Sequence, residues 1–302
     1  MEASINQSHA KSLQQVMPDR YIICTSRVAQ ELTRLPVDGT PASLKVAKDT
    51  SVLVTLTPRK QEINQITSYD MAVLSAIISL FVCGKHFFTA ATIYRVMCGL
   101  SDSQNPGKTA VEQVRTSVVR LQNTVVNIDA WDQGKLYGAQ SQSAHFFCEP
   151  LLQVAAEKVV AGNSVVNGYA LTEVPVLYRY SLVYKQLATF PASVLSSFTG
   201  NNNRQIIGLR YELLRLVCAM SRNRKMSRTI RYNSLMADMG IGQCTSEQAR
   251  AFRKNLSAVL DSFILSNLID GYSEIRKNRA YAQVCLTLPT AKGSKNEPTT
   301  HK

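Results

Sequence analysis

The stretch "TSEQARAFRKNLSAVLDSFILSNLIDGYSEIRKNRAYAQVCLTL", Thr245–Leu288, decides the fold. Thr245 and Gln248 stand at the spacing of a capping box, in which the two side chains satisfy the orphan backbone donors of a helix start. Phe252, Leu256, Val259, Leu260 and Phe263 then recur at helical period, so a long helix is expected within Thr245–Asp270. In "YSEIRKNRAYAQVCLTL" the period drops to two, which predicts a hairpin with Val284, Leu286 and Leu288 inward. Upstream, "LRYELLRLVCAM" carries Leu209, Leu213, Leu216, Val217 and Met220 at helical spacing, and "RTIRYNSLMADMG" carries Ile230, Leu235 and Met236 before Gly240. Helix, helix, helix and hairpin is the element order of a winged helix.

The same order is readable earlier in the chain. In "TSYDMAVLSAIISLFVCG", Thr67 or Ser68 can cap, Asp70 suits the positive end of the helix dipole, and Gly84 stops a helix carrying Val73, Leu74, Ile77, Ile78 and Phe81. "TAATIYRVMCG" repeats the pattern between Thr89 and Gly99, with Ile93, Val96 and Met97 inward. In "NPGKTAVEQVRTSVVRLQN", Asn105-Pro106 offers a cap and a first position, and Val111, Val114, Val118 and Leu121 make the stripe. "TVVNIDAW", "HFFCEPLLQVAAEKVV" and "SVVNGYALTEV" then read as strands. The expected class is α+β: two tandem winged-helix domains, helix-rich with small antiparallel wings. Residues 1–50 are expected as a flexible arm, 51–200 as the first domain with its connector, 201–290 as the second, and 291–302 as a disordered basic tail.

Charge separates the two domains. Lys and Arg number 17 against 14 acids in residues 1–200, 14 against 6 in 201–290 and 3 against 1 beyond, so the last third carries most of the net +13. An excess of this size selects a polyanionic partner, nucleic acid first and an anionic membrane surface second. Laid out at about 100° per residue, the helix from Thr245 turns Arg250, Lys254 and Ser257 away from its apolar stripe, with Arg253 on the flank. That is the form of a major-groove reader of double-stranded DNA. Arg222, Arg224, Lys225, Arg228 and Arg231 lie between and at the start of the preceding helices, where such folds cross the backbone, and are expected on phosphates. The hairpin tip Arg276, Lys277, Asn278 and Arg279 is expected as the wing contact. The first domain is nearly neutral, so a dimer or partner interface is expected there, with Lys108 and Arg115 as auxiliary phosphate contacts. Tyr178, Tyr180 and Tyr184 suit either such an interface or core packing of the connector.

Signals of catalysis are negative. "GKT", Gly107–Thr109, lacks the glycine five residues earlier that a phosphate-binding loop needs, since Asp102 stands there. His9, His86, His145 and His301 form no HExxH or His-hydrophobic-His pair, and no GxSxG occurs. Asp129 and Asp132 flank Trp131 without a third acid. Seven scattered cysteines form neither a CxxC pair nor a zinc spacing, so no metal, cofactor or disulfide framework is expected. The apolar run at Ala72–Cys83 is too short for a bilayer span, and the N-terminus has no signal-peptide core, so no membrane association and a cytoplasmic, nucleoid-associated location are expected.

With "ITSYDMAVLSAIISL", "FTAATIYRVMCG" and "PVLYRYSL" in its first half, the chain resembles the replication initiator proteins of iteron-bearing plasmids and related bacterial mobile elements over about residues 50–288. That resemblance implies that the second winged helix binds direct repeats at an origin. It also implies that the first forms a homodimer and assists binding or melting, and that a host replication initiator and helicase are recruited. The segment from Trp131 to Ala144 is a departure from the pattern. A winged-helix autorepressor, or an assembly protein binding nucleic acid without sequence preference, fits the same residues.

Overall fold

The computed structural model describes residues 17–289 apart from 61, 62, 64, 139–144, 162, 163, 224, 243, 278 and 279; for 160, 161, 164, 277, 280 and 281 it describes the backbone alone. Along the chain run β1 (Arg20–Cys24), α1 (Arg27–Glu31), β2 (Ala42–Ala47), β3 (Thr50–Pro58), α2 (Ser68–Val82), β4 (Phe87–Phe88), α3 (Ala90–Cys98) and α4 (Lys108–Gln122). Then follow β5 (Thr124–Asp129), α5 (Trp131–Leu136), β6 (Phe146–Pro150), β7 (Val154–Ala161), β8 (Ser164–Leu171), α6 (Val176–Val183), β9 (Leu187–Pro191) and α7 (Ser193–Ser196). The last part holds α8 (Arg204–Arg222), β10 (Thr229–Arg231), α9 (Tyr232–Asp238), α10 (Ser246–Leu265), β11 (Gly271–Lys277) and β12 (Ala280–Thr287).

Thr67 opens α2 with a capping box to Asp70, and every residue from Ser68 to Leu80 is buried. The sequence places its apolar residues on one stripe, but the helix is apolar nearly all round, and such a helix is enclosed rather than laid on a surface. Its neighbours are β1, α3, α4 and α8, so it serves as the axis of the molecule. Asp70, fully buried, receives hydrogen bonds from Ser117 at 2.7 Å and Arg120 at 2.9 Å, which pins α4 to the start of α2. Thr89 caps α3, and Gly99, at φ 63°, ends it in the left-handed conformation that favours glycine. The third helix begins at Lys108, with Gly107 as N-cap and no side-chain cap bond, two residues later than the Asn105-Pro106 pair suggests.

A plan of helix, short strand, helix, helix and hairpin occurs twice: α2-β4-α3-α4-β7-β8 and α8-β10-α9-α10-β11-β12. The sheet orders correspond, β4-β8-β7 and β10-β12-β11, with the short strand pairing the second hairpin strand each time. Between α4 and its hairpin the first repeat inserts β5, α5 and β6, and the two strands join β2 and β3 in a separate sheet of order β2-β3-β5-β6. "TVVNIDAW" therefore belongs to that second sheet and not to the hairpin, and Trp131 opens α5. Thr229–Arg231 is strand and not helix, because its edge is taken by β12, Ile230 facing Val284.

The segment before residue 50 is not a loose arm over its described part. β1 pairs antiparallel with β9, Ile23 is fully buried, and the Ile22 amide donates to Ser79 Oγ on α2 at 2.9 Å. Residues 1–16 and the tail from 290 lie outside the described residues. The two repeats share one contiguous apolar core running from Tyr21 to Leu286. A buried polar chain crosses their junction: Ser68 Oγ donates to Glu212 at 2.8 Å, Arg215 Nε donates to Glu212 at 2.8 Å, and Arg215 stands 3.8 Å from Asp238. Arg34 Nε donates to Asp238 at 2.8 Å, tying the segment after α1 to α9. Among the described residues no helix is long and apolar enough to cross a membrane.

Candidate nucleic-acid interface

The helix α10 is fixed at its start by the Thr245–Gln248 capping box, which forms as the spacing predicts. Phe252, Leu256, Val259, Leu260 and Phe263 are all buried beneath it, while Arg250 and Lys254 are exposed on the far side. Arg250, Arg253, Lys254 and Ser257 line one hollow of about 440 Å³ with Ala258 and Asp261. The four residues expected as the reading set are thus brought together on one surface.

Arg253 is not a freely presented cation. Its Nε donates to Glu274 Oε1 at 2.6 Å, and its Nη2 pairs with the second carboxylate oxygen, a bidentate contact between α10 and β11. Tyr232 Oη, at the start of α9, donates to the same Oε1 at 2.8 Å. Hydrogen bonding to Arg253 holds the Glu274 carboxyl below its ordinary range, while burial pushes the Tyr232 phenol up. One strand position earlier on the same face, Tyr272 Oη donates to Asp261 Oδ1 at 3.0 Å. Both bridges lock β11 along α10. Glu274 and Tyr232 are absent from the sequence reading. Their only signal is parity, since Tyr272, Glu274 and Arg276 share one face of a strand.

The cationic stretch before α10 divides. Arg222 closes α8 by donating to Thr25 Oγ1 at 2.9 Å and to the Leu187 carbonyl, so it docks on the β1–β9 sheet. Arg228 donates to the Met220 carbonyl and satisfies the end of α8. Lys225 and Arg231 are exposed, and Arg231 lines a separate hollow of about 550 Å³ with Arg34. Arg224 lies outside the described residues. At the hairpin, Arg276 is exposed, while Asn278, Arg279 and the Lys277 side chain lie outside the described residues.

Counting from the N-caps Gly107 and Thr245 aligns the third helices of the two repeats. Val114, Val118 and Leu121 match Phe252, Leu256 and Val259, and all six are buried. On the outer face Glu112 stands where the second repeat has Arg250, Thr116 where it has Lys254, and Val119 where it has Ser257. Arg115 takes the place of Arg253 and pairs with Glu112 at 3.3 Å. With side chains 50% and 68% exposed, that pair contributes little to stability. Lys108 is exposed at the first position of α4. The tyrosines of the connector are split: Tyr178 is half-buried, whereas Tyr180 and Tyr184 are fully buried. Tyr180 donates to Gln133 at 2.6 Å, and Tyr184 Oη lies 2.5 Å from His145 Nδ1, so these two hold the insertion α5 to the core and are not interface residues. Among the described residues no group of three His, Cys, Asp or Glu side chains could hold a metal ion.

No protein-family model matches the chain, and no curated protein sequence matches it. Among the solved structures similar to it are two of one protein. One is of RctB domains 2-3 (RctB-155-483), at 13% identity and a TM-score of 0.48, covering 88% of this chain and 97% of that one. The other is of selenomethionine derivatives of domains 2 and 3 of RctB, at 14% identity and a TM-score of 0.42, covering 82% and 90%.

Proposed function

We propose that the two repeats are tandem winged helices and that the chain is a sequence-specific double-stranded DNA-binding protein, a replication initiator of a plasmid or mobile element. The observation that carries this reading is the outer face of α10, where Arg250 and Lys254 are exposed beside a hairpin that is locked to the helix. A rigid helix of this kind can enter a major groove with its N-terminal half against base edges. Lys225 and Arg231 serve as phosphate contacts. Arg222 and Arg228 are engaged on protein oxygens and contribute to the positive field without leaving them.

The first repeat, with Glu112 and Val119 at the corresponding positions, is the homodimer and partner surface, and Lys108 gives auxiliary phosphate contact. Partners are double-stranded DNA, a second copy of the chain, and a host initiator and helicase. The protein binds and assembles without a catalytic step of its own. The test is a nuclease footprint of the purified protein on the DNA flanking its own gene. Several in-phase protected direct repeats are expected; one palindrome over a promoter would make it an autorepressor, and binding without any footprint would refute sequence-specific reading.

A further inference from the structure

The geometry points to Glu274 as a restraint on DNA affinity: by holding Arg253 in a bidentate pair, it removes one cation from the reading face of α10 and lowers binding to duplex of arbitrary sequence. This rests on α10 being the DNA-reading helix. Phosphate neutralisation supplies the sequence-independent part of binding, and a helix bearing Arg250, Arg253 and Lys254 together would hold any duplex tightly. Specificity is a difference between two affinities, so weakening the generic one raises it as surely as strengthening the specific one.

Three observations support the assignment. Glu274 is only 18% exposed and accepts from two partners, Arg253 and Tyr232, so its carboxylate is fixed from both α10 and α9 and does not swing away as a surface acid does. The pair sits within the reading surface, since Arg253 lines the same hollow as Arg250, Lys254 and Ser257. The layout also recurs: Arg115 and Arg253 are each eight residues past the N-cap of the third helix, and Glu157 and Glu274 are each the fourth residue of the hairpin strand that follows. In the first repeat Arg115 and Glu157 line one hollow of about 340 Å³.

The test compares Glu274→Gln with Glu247→Gln, which removes the same charge from the exposed first turn of α10 without releasing an arginine. Glutamine at 274 keeps an acceptor oxygen for Tyr232, so the hairpin stays in place. Binding to a short labelled duplex of scrambled sequence is measured across a salt series by fluorescence anisotropy. Glu274→Gln is expected to bind several-fold tighter at low salt, with the slope of log K against log salt steeper by about 0.9, the value of one added phosphate contact. Glu247→Gln is expected to change the slope by less than half of that, and adding Arg253→Met to Glu274→Gln is expected to abolish the gain. Equal effects of the two glutamines, or an unchanged slope in Glu274→Gln, would overturn the restraint while leaving α10 as the reader. A parent protein with no salt-dependent binding to any duplex would overturn both.

Discussion

Replacing Arg215 with methionine tests whether the junction between the repeats is held by its buried polar chain. Arg215 is 7% exposed and Glu212 1%, and the guanidinium is the cation nearest that carboxylate, through Nε at 2.8 Å and Nη2 at 2.7 Å. Methionine fills a similar volume, so the cavity contribution is small. Asp238 keeps Arg34, but among the described residues Glu212 keeps only the Ser68 hydroxyl. Removing one partner of a buried ion pair costs about 3–5 kcal/mol, because the other charge is left without compensation. For a chain of this size that corresponds to a fall in Tm of about 6–10 °C. Adding Glu212→Gln should recover at least about 1 kcal/mol, since a buried amide is cheaper than a buried charge. The assay is thermal unfolding followed by circular dichroism. A Tm within about 2 °C of the parent, or a double variant as unstable as the single one, would show that the buried pair does not hold the junction.

Three further outcomes are expected. Arg250→Ala should cost about 1–3 kcal/mol on the footprinted site and much less on scrambled duplex, if its contact is bidentate to guanine; equal losses on both, read by titration, would make it a phosphate anchor. Gly99→Ala should destabilise by about 2 kcal/mol or more, because φ is 63° and the new Cβ would lie 2.3 Å from the Ser196 backbone nitrogen, which a urea midpoint would detect. Because Arg253 depresses the Glu274 pKa, that carboxylate contributes stability that is fully present above the ordinary carboxylate range and is lost as pH falls through the lowered value. The acid limb of the stability profile should therefore be shallower in Glu274→Gln, and an unchanged limb would show that the pair adds nothing to folding.

Features set by neighbouring residues were legible in the sequence. The capping box at Thr245, the glycine terminator at Gly99 and the apolar stripes of α4 and α10 each depend on spacings of three to seven residues, and all stand where the spacing puts them, whereas the sequence leaves open the choice of Thr67 over Ser68 as the cap of α2, and its box with Asp70. What could not be read depends on partners far apart. Ser68 meets Glu212 across 144 residues, and Arg34 meets Asp238 across 204. A polar residue that closes a buried contact has the same one-dimensional pattern as one facing water. For the same reason the run from Arg222 to Arg231 reads as one cationic block, yet two of its members spend their donors on the carbonyls of Leu187 and Met220. Strand alternation identifies β5 and β6 as strands but is silent on which sheet they join, and the pairing with β3 sends them away from the hairpin of the first repeat.

The two repeats show how one backbone plan can carry different outer faces through a few exterior positions. Their third helices bury the same three positions and differ on the opposite face, where Glu112, Thr116 and Val119 stand in place of Arg250, Lys254 and Ser257. Exchanging Arg for Glu at the first of these shifts the local charge by two units, and near a polyanion that changes attraction into repulsion without altering the fold. The buried side chains decide that both helices turn the same positions outward. The exposed ones decide what that face can meet. Because α2 and α8 share a continuous core and a buried polar chain, the outer face of the first repeat is held in a fixed relation to that of the second. A flexible linker would let each face move alone, whereas this junction makes their spacing a property of the protein.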